Sequence, residues 1–88
     1  MNQEIIKQLL ENNPKWIHFN LVSKTDKTGT YDVIANEGNI VLGQIKWYSP
    51  WRKYSFFPNN NTLFEKTCLQ DIINFIDKLM EERKSRIK

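Results

Sequence analysis

The sequence predicts an α+β domain in which a helix, a four-stranded antiparallel meander and a long C-terminal helix packed on the sheet follow one another. Three observations lead to this prediction. Apolar residues recur at helical spacing near both ends of the chain, they alternate with polar residues between about residues 16 and 57, and turn-forming residues divide the alternating region into four parts. Packing the apolar faces of the helices against one face of the sheet is the simplest way to bury these residues.

Size and composition limit what the chain can be. Its 88 residues fit one domain, 1–88, because a chain this short has too little buried surface for two cores. Cys68 is the only cysteine and His18 the only histidine, so neither an internal disulfide nor a Cys/His zinc site can form. We therefore expect a reducing, cytoplasmic location. No apolar run approaches the roughly 20 residues that cross a membrane, and we expect no membrane contact.

The first helix is predicted over about residues 3–12. Asn2 caps it, the apolar residues Ile5, Ile6, Leu9 and Leu10 fall on one stripe, and Pro14 follows its end. A helix shorter than about 12 residues is marginal alone in water, so this one must pack on the sheet.

Four strands are predicted at about residues 16–22, 30–35, 40–48 and 52–57, separated by polar turns. The third strand has the clearest alternation. Its first face holds Val41, Gly43, Ile45 and Trp47, and its second face holds Ile40, Leu42, Gln44, Lys46 and Tyr48.

The last helix is predicted to begin at Thr67, which forms a capping box with Gln70. It should fray into a basic tail from about Arg83. Its apolar stripe should meet the inward strand residues in one core. We expect that core to contain Ile45, Trp47, Tyr54, Phe56, Leu69, Ile72, Ile73 and Ile76.

The segment WYSPWRKYSFF, residues 47–57, holds six of the eleven aromatic residues together with two cations. Alternation directs Trp47, Tyr54 and Phe56 inward, where large side chains would serve the core whatever the function. The residues that alternate with these three cannot all be buried, because a single-layer sheet has one core face. Exposed aromatic residues on a small domain indicate a binding face. The predicted binding residues are Lys46, Tyr48, Trp51, Arg52, Lys53 and Phe57.

Candidates for catalysis are few. Cys68 lies at the start of the last helix, where the helix dipole would favour its thiolate, but the alternative is a small buried apolar residue. His18 fits a structural or surface position, and the acidic residues show no spacing typical of acid/base pairs. We therefore predict no enzyme, no cofactor and no metal site.

The pattern Leu42-Gly43-Gln44-Ile45-Lys46-Trp47-Tyr48, with Trp51 to Pro58 and Cys68 to Ile72, resembles small uncharacterised proteins of phages and mobile elements. The resemblance covers roughly residues 40–76 and implies an accessory protein directed at the host. The element order also looks like the double-stranded RNA-binding domain. The last helix departs from that family, because it opens Thr67-Cys68-Leu69-Gln70-Asp71 without the paired lysines expected there.

The leading interpretation is a binding module that holds a host protein with the aromatic and basic hairpin. The alternative is a single-stranded nucleic-acid or RNA-binding protein, since bases stack on aromatic rings and cations neutralise phosphates. A formal net charge of +3 is low for tight phosphate binding and favours a protein partner. Whether the chain forms a homodimer is left open.

Overall fold

The computed structural model describes residues 16–86. Four strands form one antiparallel sheet in the order β1-β2-β3-β4: β1 (Ile17–Lys24), β2 (Gly29–Ala35), β3 (Val41–Tyr48) and β4 (Lys53–Pro58). The helix α1 (Lys66–Arg86) follows and packs on one face of the sheet. The predicted meander and long C-terminal helix are confirmed. The helix predicted over residues 3–12 lies outside the described residues.

The core lies between α1 and the inward face of the sheet. Strand pairing places Tyr31 opposite Ile45 and Ile45 opposite Phe56, so alternate residues of each strand point to the helix. Within residues 16–86, the buried hydrophobic side chains are Ile17, Val33, Ile45, Tyr54, Cys68, Ile72 and Leu79. Tyr54 also receives a hydrogen bond at its hydroxyl from the backbone N–H of Gly29, which ties β4 to the start of β2.

The rotation of α1 about its axis differs from the prediction. Phe75 stacks on Phe19 with ring centroids 4.0 Å apart and meets Tyr31 edge-on, which fixes the side of the helix that faces the sheet. Leu69 and Ile73 then lie at the edge of the contact between α1 and the sheet. They are 45% and 51% exposed, so their assignment to the core was wrong. Ile45, Tyr54 and Ile72 are buried as predicted, whereas Trp47, Phe56 and Ile76 are half-buried.

A register shift changes the face assignment at the start of β3. Val33 pairs with Gly43, but the next β2 residue, Ile34, pairs with Val41, so β3 has one extra residue. Leu42 consequently packs on the core and Val41 is 39% exposed. The prediction that Val41 shares a face with Gly43 and Ile45 was wrong because alternation breaks at this bulge.

The ends of α1 also differ from the prediction. The helix begins at Lys66, and the Glu65 carboxylate accepts a hydrogen bond of 2.8 Å from the backbone N–H of Cys68, so Glu65 rather than Thr67 caps it. The helix continues to Arg86, beyond the point where fraying was expected. No helix among residues 16–86 is long and apolar enough to cross a membrane.

Candidate functional site

The predicted binding residues of the strands lie together on the sheet surface that faces away from α1, here called the outer face. Lys46 and Tyr48 of β3 pair with Ser55 and Lys53 of β4, and Gln44 pairs with Phe57. These positions alternate with Ile45, Trp47, Tyr54 and Phe56, which face the helix. The strands therefore bring Lys46, Tyr48, Lys53 and Phe57 onto one surface.

Tyr48 is the centre of an aromatic cluster on the outer face. Its ring meets Trp51 edge-on at a centroid distance of 4.9 Å and an angle of 83°, and it meets Phe57 at 6.0 Å and 68°. Such edge-to-face pairs each contribute about 0.5–1.5 kcal/mol beyond area burial. Trp51 is nevertheless 67% exposed, so the cluster holds a large indole in a defined orientation in front of solvent.

The β3–β4 turn sets the position of Trp51 and Arg52. The backbone N–H of Trp51 donates to the carbonyl of Tyr48, and that of Arg52 donates to the carbonyl of Ser49. Arg52 has a φ of 53°, in the left-handed region that a residue with a Cβ enters at a cost of roughly 1–2 kcal/mol. The turn thus presents both side chains at the end of the hairpin, and both are exposed.

The charge of this surface is positive. Lys46 lies over the Phe57 ring, 4.7 Å from the centroid, while Arg52 and Lys53 are exposed at the turn. Asp32 of β2, on the same face, accepts a hydrogen bond of 3.0 Å from the Gln44 amide. The donor is a neutral amide and leaves the carboxylate charged, so the surface is net positive because the three cations outnumber this one acidic group.

The structure adds two residues to the predicted set. Gln44 and Asp32 border the aromatic cluster on neighbouring strands. Alternation already placed Gln44 on the same face as Lys46 and Tyr48. It was not predicted as a binding residue because its side chain is neither aromatic nor charged. Asp32 depends on the pairing of β2 with β3, which no local pattern reveals.

The surroundings of Cys68 favour its thiol over its thiolate. Burial of the side chain raises the pKa of the Cys68 thiol, and the nearby Glu65 carboxylate opposes the thiolate as well. The expectation that the helix dipole would favour the thiolate was wrong because burial of the side chain outweighs it, with a further contribution from the Glu65 carboxylate. Within residues 16–86, no three His, Cys, Asp or Glu side chains come together as potential metal ligands.

The sequence of this chain is similar to that of a phage protein. The chain is 41% identical over 58 residues to the "Uncharacterized 9.3 kDa protein" of Acholeplasma phage L2. The match spans 66% of this chain and 74% of the relative. No family model matches the sequence, and no solved structure matches it. At this identity and coverage, the chain belongs to the same family as the small phage protein.

Proposed function

We propose that this protein is a non-enzymatic binding module that holds an acidic surface of a host protein with the outer face of its sheet. The observation that carries the proposal is the position of Trp51, a largely exposed indole braced by Tyr48 and flanked by cations. Tryptophan, tyrosine and arginine are the residues most enriched among interface positions that dominate binding energy.

The charges favour an acidic partner. Lys46, Arg52 and Lys53 surround the aromatic cluster, and carboxylates of a partner would form charge-assisted hydrogen bonds with them around a central aromatic contact. A cytoplasmic host protein is the partner class that fits the single buried thiol and the phage family.

The small number of accessible aromatic ring faces favours a protein partner over a nucleic acid. Single-strand platforms use several free aromatic faces on which successive bases stack. Here the Lys46 ammonium lies over Phe57, and Tyr48 is half-buried between its two aromatic neighbours. Trp51 is the one ring of this cluster that is mostly free, which suits an interface anchor better than a row of stacked bases.

The experiment compares a double variant with a matched control in capture from a lysate of Acholeplasma cells. Trp51→Ala with Lys53→Ala should retain the circular dichroism spectrum of the parent, with a thermal midpoint lowered by only several degrees through loss of the Tyr48–Trp51 contact. It should lose the captured protein, because truncating an interface anchor costs about 2 kcal/mol or more of binding. Leu63→Ala with Lys66→Ala removes an even more exposed apolar residue and the lysine that begins α1, and it should capture normally.

Two further measurements separate the partner classes. Nuclease treatment should leave the captured protein in place, and binding should weaken only modestly between about 50 and 200 mM salt, because salt screens the cations but not the aromatic contact. Loss of the captured material with nuclease, or a steep fall with salt, would support the nucleic-acid alternative instead. Equal capture by the double variant and the parent would move the site away from the outer face.

A further inference from the structure

Arg52 has a backbone conformation that its residue type disfavours. Its φ of 53° lies in the left-handed region. In that region the Cβ of an L-residue comes close to a carbonyl oxygen, so glycine adopts it without strain and asparagine more easily than other residues. Within residues 16–86, the other three residues with such a φ are Gly38, Asn39 and Asn61. Arg52 is therefore the one position of this group whose residue type does not suit its backbone.

The β3–β4 turn requires this conformation. Tyr48 pairs with Lys53, so residues 49–52 must reverse the chain between the two strands. The N–H of Arg52 donates to the carbonyl of Ser49 over 3.1 Å and closes the turn before β4 begins. A residue at position 52 therefore keeps a positive φ whatever its side chain, and glycine or asparagine would meet this requirement at a lower energetic cost.

No contact within the described part of the chain offsets this cost. The Arg52 side chain is exposed, and its guanidinium forms no hydrogen bond, ion pair or ring contact with residues 16–86. Other cations do form such contacts: Lys46 lies over Phe57, and Arg83 lies over Trp47. Unfavourable backbone conformations that persist in folded proteins are concentrated at binding and active sites. The conformation of Arg52 therefore indicates a role in contact with another molecule.

We propose that Arg52 binds a carboxylate of the partner and thereby selects which proteins the outer face binds. Since the carboxylate belongs to the acidic surface of the host protein, this role rests on the proposed function. Arg52 is the only guanidinium among the three cations around the aromatic cluster. Its planar fork of N–H donors matches both oxygens of a carboxylate, whereas the ammonium groups of Lys46 and Lys53 act as point charges.

The neighbouring indole restricts where the carboxylate must be. Trp51 directly precedes Arg52, and its ring is held edge-on against Tyr48. A partner whose surface receives Trp51 must therefore present Asp or Glu at a defined distance from that contact. A partner with no acidic residue there would cover the guanidinium without pairing it, which penalises binding of the wrong protein. Arg52 thus supplies a selectivity that a glycine at the same position could not supply.

The thermal midpoint tests whether position 52 carries an energetic cost, and no partner is needed for this measurement. Arg52→Asn should raise the midpoint by a few degrees, because asparagine tolerates a positive φ better than arginine does. Arg52→Gln is the matched control. It also removes the charge but keeps a long side chain, and its midpoint should stay close to that of the parent. A midpoint of Arg52→Asn no higher than that of Arg52→Gln overturns the proposal.

Selection from a displayed library of random peptides tests the ligand. Peptides that bind the parent should have one position enriched in Asp and Glu relative to the unselected library. Arg52→Lys keeps the charge and the backbone conformation but lacks the planar fork, so enrichment at that position should fall by about fivefold or more. Lys84→Asn changes an exposed residue of α1 and should select the same peptides as the parent. The absence of an acidic position in the parent's peptides, or equal enrichment with Arg52→Lys, excludes a carboxylate-binding role of Arg52.

Failure of this role and failure of the proposed function give different results. A parent that captures no host protein from the lysate, but selects acidic peptides through Arg52, contradicts the proposed function alone. If Arg52→Lys captures the host protein as well as the parent does, the proposed function stands and the role of Arg52 in selecting the partner is wrong.

Discussion

The guanidinium of Arg83 lies over the ring of Trp47, with its central carbon 3.9 Å from the ring centroid. Arg83 was assigned from the sequence to a basic tail, but its side chain is half-buried and its Nε atom is buried without a hydrogen-bond partner. A cation over tryptophan contributes about 0.5–2 kcal/mol, more as water is excluded. Arg83 therefore stabilises the contact of the C-terminal end of α1 with the sheet.

Replacement of Arg83 tests this role. Arg83→Ala should lower the free energy of unfolding by about 1–2 kcal/mol, because both the contact with Trp47 and the packed aliphatic part of the side chain are lost. Lys84→Ala, at the adjacent exposed position, should change it by less than about 0.5 kcal/mol. Urea denaturation followed by tryptophan fluorescence measures both. Equal changes in the free energy of unfolding for the two variants would mean that Arg83 is a solvated residue without a stabilising contact.

Two neighbouring isoleucines of α1 test the orientation of the helix. Ile72 is 4% exposed and contributes to the core, whereas Ile73 is 51% exposed. Ile72→Ala should cost about 2–5 kcal/mol of stability, and Ile73→Ala should cost less than about 1 kcal/mol. The two variants differ by a single position on the same helix, so each is the control for the other. A larger loss at Ile73 would mean that α1 is rotated from the orientation described.

Gly43 is predicted to tolerate no side chain. A Cβ placed there would lie 2.5 Å from the carbonyl oxygen of Phe57 and 2.8 Å from the Cα of Pro58, both backbone atoms of the paired strand. Gly43→Ala should therefore separate β3 from β4 and cost about 1–3 kcal/mol or more. Thermal unfolding measures the loss, and Ala35→Gly, at a half-buried position of β2, indicates the cost of altering a strand position without a clash. A midpoint unchanged by Gly43→Ala would contradict the close approach.

The cap of α1 predicts a pH dependence. Hydrogen bonds from the backbone N–H groups of Thr67 and Cys68 lower the pKa of Glu65 below its ordinary value of 4.5. A carboxyl whose pKa is lower in the folded state stabilises the fold above its unfolded pKa, and this contribution is lost as the pH falls through the folded pKa. The stability difference between the parent and Glu65→Gln should therefore be largest near neutral pH and shrink below about pH 4.5.

Asp71 makes this comparison more specific. Burial raises the pKa of Asp71, so its effect on stability has the opposite pH dependence to that of Glu65. Asp71 favours the folded state at low pH, and this contribution is lost as the pH rises. Asp71 is present in both the parent and Glu65→Gln, and subtracting the two pH profiles removes most of its effect. A difference that grows on acidification would contradict the assignment of Glu65 as the cap.

The parts of the fold that were predicted correctly depend on patterns within one element. Alternation along residues 44–48 was enough to separate Lys46 and Tyr48 from Ile45 and Trp47, and so to place the aromatic and basic residues on one surface. The cap at Glu65, where Thr67 was expected, is a local error at the start of α1, but the errors in side-chain exposure depend on contacts between elements. The rotation of α1 is fixed by Phe75 against β1 and β2, and the exposure of Val41 follows from a bulge against β2.

The interleaving of the two sheet faces affects how this small protein can evolve. Along residues 44–48 of β3 and 53–57 of β4, residues that face the helix alternate with residues on the outer face. Substitutions at Lys46 or Lys53 leave the apolar neighbours on the helix side untouched. Substitutions on the outer face can therefore accumulate with little loss of thermodynamic stability, and sequence divergence along these strands should show a period of two residues.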